Sequence, residues 1–498
     1  PSFIDLYSNY GIKTPERGSY NYRPQYESNK EGAYHWNEAI HPEIHAFESF
    51  KYDKKQAEEY RGLGFGVVLS HSTDGIVRGT GTLVSLSDEK EQKSMMSAKS
   101  ASYFSFNKGV SSQKYPSSLM GSIALLKQLF LDSYWYENTH KTTNISFNEF
   151  NNQLGLTHIF KSSLATDYNR IYKISDEFEI DFIVKGNGKE YEIIDEIKTY
   201  NFPIILPLNF PLKYEINNPE ESNILTLSKL KHWETAPFNA RILSENNIDF
   251  CFTIFDLKKK SDFLKNIRIS IEKGLNKYDA LNALTIVPAT LIGEEGRLGT
   301  LEKGKKANFI ICSSDIFEDG IIYENWTNGI QNIIEEKTEI DLRGNYTFKS
   351  GNEEKHISIS GEMTKIKMEE IISDSTSIIY DVKQNSSTIV FHTKDITIRG
   401  TADFTEEMFI GKYQNLEGEN IDFTMERDSL FISNSEDFTM EYDTIIPPIW
   451  VPNKAYGNNY DIISVPTIFR NATVWTNEEE GILLNTDVAI QDGKIIAI

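Results

Sequence analysis

Three histidines fall close together: His35, His41 and His45. His41 and His45 are four residues apart with Glu43 between them, a spacing that on a helix turns two imidazoles to one side, where they could hold a divalent metal. Pro42 implies a turn or a first helical position, and the order His-x-Glu-x-His is not the His-Glu-x-x-His of a zinc helix. A surface or structural role is expected for this cluster. A second group, His71, Ser72 and Asp74, stands just past an apolar run. Nucleophilic catalysis by Ser, His and Asp needs proximity in space rather than in sequence. The group reads as a polar loop with an Asp-Gly turn at the mouth of a sheet. The run GLGFG at Gly62, Gly64 and Gly66 leads from a helix into a strand, the reverse of a dinucleotide loop. Cys251 and Cys312 sit in the apolar runs FCFTIF and FIICSS and are expected as buried small hydrophobes. His232 and Trp233 are expected to pack or cap on an amphipathic helix, and LFLDSYWYEN to form helix core rather than a sugar platform.

The elements that must position these groups follow from the apolar pattern. Residues 1–290 alternate short apolar runs with helical stretches, the βα texture of a parallel sheet. Strands are predicted at Ser2–Ser8, Gly66–His71, Ala101–Phe106, Asp181–Lys185, Pro203–Leu208 and Asp249–Asp256. Helices are predicted at Ser117–Tyr136, Ser163–Glu177, Lys189–Tyr200, Leu227–Glu245 and Ser261–Lys273. No Gly-rich phosphate loop follows the first strand, so a (β/α)8 barrel suits the pattern better than a doubly wound sheet. The passage GTLEKGKKANFIICSSD, 299–315, reads as a turn and two strands. From 340 to 445 alternating runs such as KHISIS, STIVFHT and DITIRG recur between Gly, Asn, Asp and Ser, which marks an antiparallel all-β module, sandwich or barrel. A Pro-containing linker, IPPIWVPNKAYGNN, then leads to PTIFRNATVW and DVAIQDGKIIAI.

Three stretches resemble the amidohydrolase superfamily, in its imidazolonepropionase-like branch. GLNKYDALNALTIVPATLIGEEGRLGTLEKGKKANFI, Gly274–Ile310, resembles the passage that closes the family's barrel and re-enters its β-sandwich, with Asn308 where an Asp is usual. Val465–Ile498 resembles the family's opening strands, and PSFIDLYSNYG resembles the "PGFIDxHxH" of its first barrel strand. A weaker likeness runs through Asn37–Leu86. The resemblance implies a (β/α)8 barrel at 1–290, closing sandwich strands and a connection at 291–339, the all-β module at 340–445, and a linker with the opening strands of a following sandwich at 446–498. A closing passage in mid-chain and an opening passage at its end imply a tandem protein, or alternatively a permuted order in which the last strands complete the first sandwich.

The same resemblance implies where a metal would sit. Hydrolysis by such enzymes uses imidazole and carboxylate ligands at the C-terminal ends of barrel strands, and the cation lowers the pKa of bound water to about 7. The two first-strand histidines correspond here to Tyr7 and Asn9, and a later histidine corresponds to Lys185 in DFIVKG; Lys161 in HIFKSS is a further, poorer match. Asp256 alone matches a family ligand, the carboxylate after the eighth strand. The expectation is a barrel that binds no metal. A zinc or similar divalent ion would belong to a second copy, which would be this barrel's partner in the same polypeptide.

Charge bounds the remaining possibilities. A formal charge of −22 and a pI near 5.0 exclude the basic surface that nucleic acid needs. No run is long enough for a membrane span. The expected parent activity is metal-dependent hydrolysis of C–N bonds in amides, cyclic amides or dipeptide-like molecules, with this part inactive and oligomerisation left open. The alternatives are a non-enzymatic binding or assembly protein, and a metal-free enzyme using Lys185, Asp256 and Asp74. Analogy to large tandem bacterial relatives suggests an extracytoplasmic location, with targeting information expected outside PSFIDLYS and DGKIIAI.

Overall fold

The computed structural model describes all residues except 14, 17–23, 140–141, 215–224, 337–340, 352, 363–364, 374–375, 395–397, 406, 416, 431–443 and 449–463. Most of the linker 446–459 and the first half of DITIRG therefore lie outside the described residues.

Eight strands form one sheet in chain order: β1 (Phe3–Ser8), β2 (Phe65–Ser70), β3 (Val77–Ser85), β4 (Met95–Ser105), β5 (Thr157–Lys161), β6 (Phe182–Lys185), β7 (Ile204–Pro207) and β8 (Phe250–Thr253). The pairs β1–β2 and β4 through β8 are parallel, whereas β3 is antiparallel to both its neighbours. This corrects an all-parallel expectation. Only residues 71–76 separate β2 from β3. A parallel crossover needs about a dozen residues or more, so the chain can only turn back. Every strand contributes to one apolar cluster: Ile4 and Leu6, Val67 and Leu69, Leu83, Ala101 and Tyr103, Ile159, Ile183, Ile205 and Cys251. Ala289, Ile292 and Leu298, from the passage after the last helices, join it. The opposite face of the same strands, with Phe65, Phe104, Phe160, Phe182 and Phe252, packs with residues of the surrounding helices such as Leu125, Ile171 and Ile267. The outer strands meet through side chains: Thr253 Oγ1 donates to Tyr7 O at 3.2 Å, and Asp5 Oδ2 accepts from Ile254 N at 3.2 Å.

Helices lie at Leu119–Thr139, Asp167–Phe178, Ile194–Tyr200, Leu227–Thr235, Asn239–Glu245 and Phe263–Glu272. The expected helix Leu227–Glu245 is broken at Ala236–Phe238, where Pro237 cannot supply an N–H to the preceding turn. In LFLDSYWYEN, Leu129, Phe130 and Tyr136 are buried but Leu131, Tyr134 and Trp135 are exposed, so only part of it is core. Trp233 is likewise exposed rather than packed. Cys251 is buried as expected, while Cys312 is only half-buried, and both are free thiols.

The expected two strands after Gly299 reduce to one, β9 (Phe309–Cys312), which pairs with β10 (Ile322–Thr327) and through it with β11 (Ile330–Ile333). Asn325 ties this sheet to the first one by donating to Arg61 O and Phe65 O at 3.0 and 2.9 Å. The all-β module is a closed antiparallel barrel of eight strands, β12 (Gly344–Ser350) through β19 (Asn420–Leu430), filled by Tyr346, Ile359, Met368, Phe391, Phe409 and Met425. Its alternation follows the pleat, one side inward and one outward. Three last strands, Thr467–Trp475, Ile482–Gln491 and Lys494–Ala497, form a separate antiparallel sheet. Among the described residues no helix is long and apolar enough to cross a membrane.

Gly79 lets β3 lie under the His41–Ile44 loop. Its φ is +75°, and a Cβ there would stand 1.8 Å from Ile44 O. Gly79→Ala is expected to lower stability by about 2–4 kcal/mol, strain and overpacking together. Gly62→Ala, at a helix end with open space around it, is expected to be neutral or slightly stabilising. Urea unfolding of both variants checks this; equal midpoints would refute the crowding at Gly79.

Candidate functional site

The antiparallel β3 determines what gathers at the C-terminal ends of the other strands. Because it runs the opposite way, its first residues, not its last, reach that end, and Val77 pairs with Phe104 near the close of β4. Arg78 therefore joins side chains delivered by the ends of β1, β5, β6 and β8. Arg78 Nη1 donates to Tyr7 Oη at 2.7 Å and Nε to Gly75 O at 3.1 Å. Arg78 was not singled out from the sequence; the available signal was a lone arginine opening the apolar run of RGTGTLV.

Tyr7 is fully buried. Its ring meets His71 at 4.4 Å, Tyr103 at 5.8 Å and Phe255 at 4.9 Å between centroids. His71 stacks on Tyr103 at 3.6 Å and 4°. Among the described residues neither His71 ring nitrogen has a hydrogen-bond partner, although the residue has no exposed surface. Burial, aided by the charge of Arg78, holds His71 well below its ordinary pKa, so the ring is neutral. Asn9 lies beyond the end of β1, half-buried, and its carbonyl accepts from Ile12 N at 3.0 Å.

Lys161 and Lys185 stand level, paired in register at the ends of β5 and β6. Lys185 has no exposed surface and forms an ion pair with Asp256 Oδ2; Lys161 reaches Asp256 Oδ1 at 3.9 Å. Lys185 Nζ is 5.8 Å from the Tyr7 ring centroid and 5.7 Å from that of Phe255, and Lys161 Nζ is 5.2 Å from the latter. Burial lowers the pKa of Lys185, and Asp256 opposes that shift. Lys161 is also lowered, first by burial and then by repulsion from Lys185 and Arg78. Asp256 adopts a left-handed φ of +71°, a conformation that Asp and Asn tolerate better than most residues.

The remaining sequence candidates separate. Asp74 accepts from Val110 N at 2.7 Å and faces His41 Nε2 at 3.7 Å. Ser72 Oγ accepts from Asp74 N at 3.4 Å, so it is not in contact with His71 as a nucleophile would be. His45 bonds Thr80 Oγ1 at 2.9 Å and lies 3.1 Å from Glu149, while His35 accepts from Asn37 N at 3.1 Å. His41 and His45 thus face different partners. Among the described residues no group of three His, Cys, Asp or Glu side chains is placed to hold a metal. The donor set around Asp256 does not fit a divalent cation: one carboxylate, two ammonium groups and a phenol already bound by a guanidinium.

Beneath this mouth, Asp5 has no exposed surface and takes hydrogen bonds from Tyr7 N at 2.9 Å and Ile254 N at 3.2 Å. Burial outweighs those bonds and pushes its pKa from 3.8 to about 6. An acid whose folded pKa is raised stabilises the fold below the unfolded pKa and loses that contribution as pH rises through the folded one. The shift from 3.8 to about 6 corresponds to about 3 kcal/mol. Asp5→Asn cannot ionise, so its melting temperature relative to wild type is expected to climb between about pH 4 and 7. A difference that stays flat across that window would refute the shift.

Residues 258–318 match the amidohydrolase family. No curated protein matches the chain. Among solved structures, an amidohydrolase from Thermotoga maritima MSB8 is similar in fold: 18% identity, TM-score 0.51, covering 66% of this chain and 86% of that one. A Xaa-Pro dipeptidase with bound methionine in its active site is 16% identical with a TM-score of 0.28, over 38% of this chain and 47% of its own.

Proposed function

We propose that the eight-stranded sheet is an amidohydrolase-type (β/α)8 barrel in which one strand is reversed and whose metal site has been refilled by side chains. The protein would descend from hydrolases of C–N bonds, and this barrel would act as an inactive scaffold. The observation that carries the reading is the Lys185–Asp256 ion pair: the one carboxylate matching a family ligand is already neutralised by a buried ammonium. In support, Tyr7 Oη is occupied by Arg78 rather than free to ligate. A dication about 4 Å from an ammonium would be repelled by about 8 kcal/mol at an effective dielectric of 20. In the same reading the Thr467–Ala497 sheet opens a second copy, which would hold the zinc and do the hydrolysis. No catalytic step is assigned to the residues of the first barrel.

Elemental analysis of the purified chain is expected to find no stoichiometric transition metal. The Tyr7→His/Asn9→His double variant is expected to remain without tight zinc binding, because Lys185 still neutralises Asp256. Adding Lys185→His should improve zinc uptake more than either first-strand change. Zinc titration of the single, double and triple variants checks this. About one zinc per chain in the wild type, or tight binding by the double variant, would overturn the reading.

A further inference from the structure

Three cations meet one carboxylate at this mouth. Arg78 makes no ion pair with a carboxylate among the described residues; its partners are Gly75 O and Tyr7 Oη. Lys185 takes one oxygen of Asp256, and Lys161 approaches the other no closer than 3.9 Å. The other acids within electrostatic range are committed elsewhere. Asp74 binds Val110 N, Asp5 binds Tyr7 N and Ile254 N, and Glu190 is held by Asn187 N, Gly188 N, Tyr168 Oη and Asn239 Nδ2. Buried like charges demand a counter-ion or a shifted protonation, and among the described residues neither Arg78 nor Lys161 has a carboxylate in direct contact, Lys161 standing 3.9 Å from Asp256. Independently, His71 sits in the same cluster with both ring nitrogens buried and, among the described residues, unpartnered. A polar ring so placed costs free energy unless some group not of this chain completes it. The rim offers a way in, since Lys161 and Asp256 keep 27% and 35% of their side chains exposed.

We propose that this mouth is a binding site for a small oxyanion, a carboxylate or phosphate group carried by a small molecule, which enters past Lys161 and Asp256 and is held by the cations and His71. The inference rests on the metal-free reading of the site, because a dication at Asp256 would itself repel the three cations. A charge-assisted hydrogen bond contributes about 1.5–3 kcal/mol, so loss of one cation weakens binding about tenfold or more. Asp256 competes with the ligand for both lysines. Removing its charge therefore strengthens anion binding, whereas the same change would abolish binding at a metal site.

The test is calorimetric titration of the full chain at low ionic strength with two probes, N-acetylglycine and inorganic phosphate, after its zinc content is measured. Saturable one-to-one binding of either probe is expected, and the tighter of the two assigns the ligand class. Lys161→Met should weaken it about tenfold or more. Asp256→Asn, which keeps a residue at home in the left-handed region, should tighten it several-fold. Failure of both probes to bind a zinc-free protein, or weaker binding in Asp256→Asn, would overturn the anion site while leaving the metal-free reading intact. Stoichiometric zinc in the starting sample would instead overturn the metal-free reading and with it this inference. Should either variant not fold, the wild-type titration still decides, since failure of both probes to bind a zinc-free protein overturns the site.

Discussion

A lysine ammonium with no exposed surface must have a counter-charge, and around Lys185 much of the C-terminal end of the eight-stranded sheet is arranged to supply one. Asp256 provides it from the loop after β8, in a left-handed conformation that turns its carboxylate toward β5 and β6. Thr253 and Asp5 bind that loop and the end of β8 to β1. The Tyr7 and Phe255 rings lie against the ammonium, where their π faces replace part of the lost hydration. Truncating Lys185 or Asp256 alone would leave the other partner uncompensated, which is how paired charges become mutually dependent in a core.

The reversed strand β3 extends the same constraint. A parallel strand at that position would end at the mouth with Ser85 and begin far from it; the antiparallel one begins there with Arg78. The guanidinium needs an acceptor, and the phenol of Tyr7 needs a donor once buried, so each satisfies the other at 2.7 Å. In the proposed reading, what a metal and its histidines would do for neutrality and shape is done by two lysines, an arginine, an aspartate and two aromatic rings. Asp5, deeper in the sheet's core, contributes by accepting two backbone N–H groups, which fixes the bulged end of β1 against β8.

Much of the fold was legible from the residues. The apolar runs of β1, β2, β6, β7 and β8 stand within a few residues of their expected bounds, because buried strands read as nearly continuous apolar segments. β3 was not legible as a strand of opposite direction: Gly79 and Gly81 interrupt its pattern, and periodicity carries no information on direction. The short link 71–76 did carry it. In the all-β module the pleat was visible as alternation in runs such as KHISIS and STIVFHT, yet GNYTFKS was not singled out as a strand. The site was less legible. Tyr7, Lys185 and Asp256 came from a resemblance, whereas Arg78 and the orphaned His71 depend on which ends of which strands meet, and no spacing encodes that.

In the proposed reading, the chemistry of replacement is asymmetric. Losing one histidine to a neutral residue weakens a metal site but leaves it electrostatically hospitable. Placing a lysine there does more, since about 4 kcal/mol of repulsion per unit charge at 4 Å and a dielectric of 20 opposes any cation that returns. Two lysines level on adjacent strands repel each other as well, and Lys161 is held below its ordinary pKa partly for that reason. A second lysine is tolerated where a carboxylate lies between, where a further anion arrives, or where one amine gives up its proton. Asp256 meets the first need for Lys185, and at 3.9 Å from Lys161 it meets the second only in part. The unpaired remainder, Arg78 and half of Lys161, is the electrostatic ground on which an anionic ligand would act.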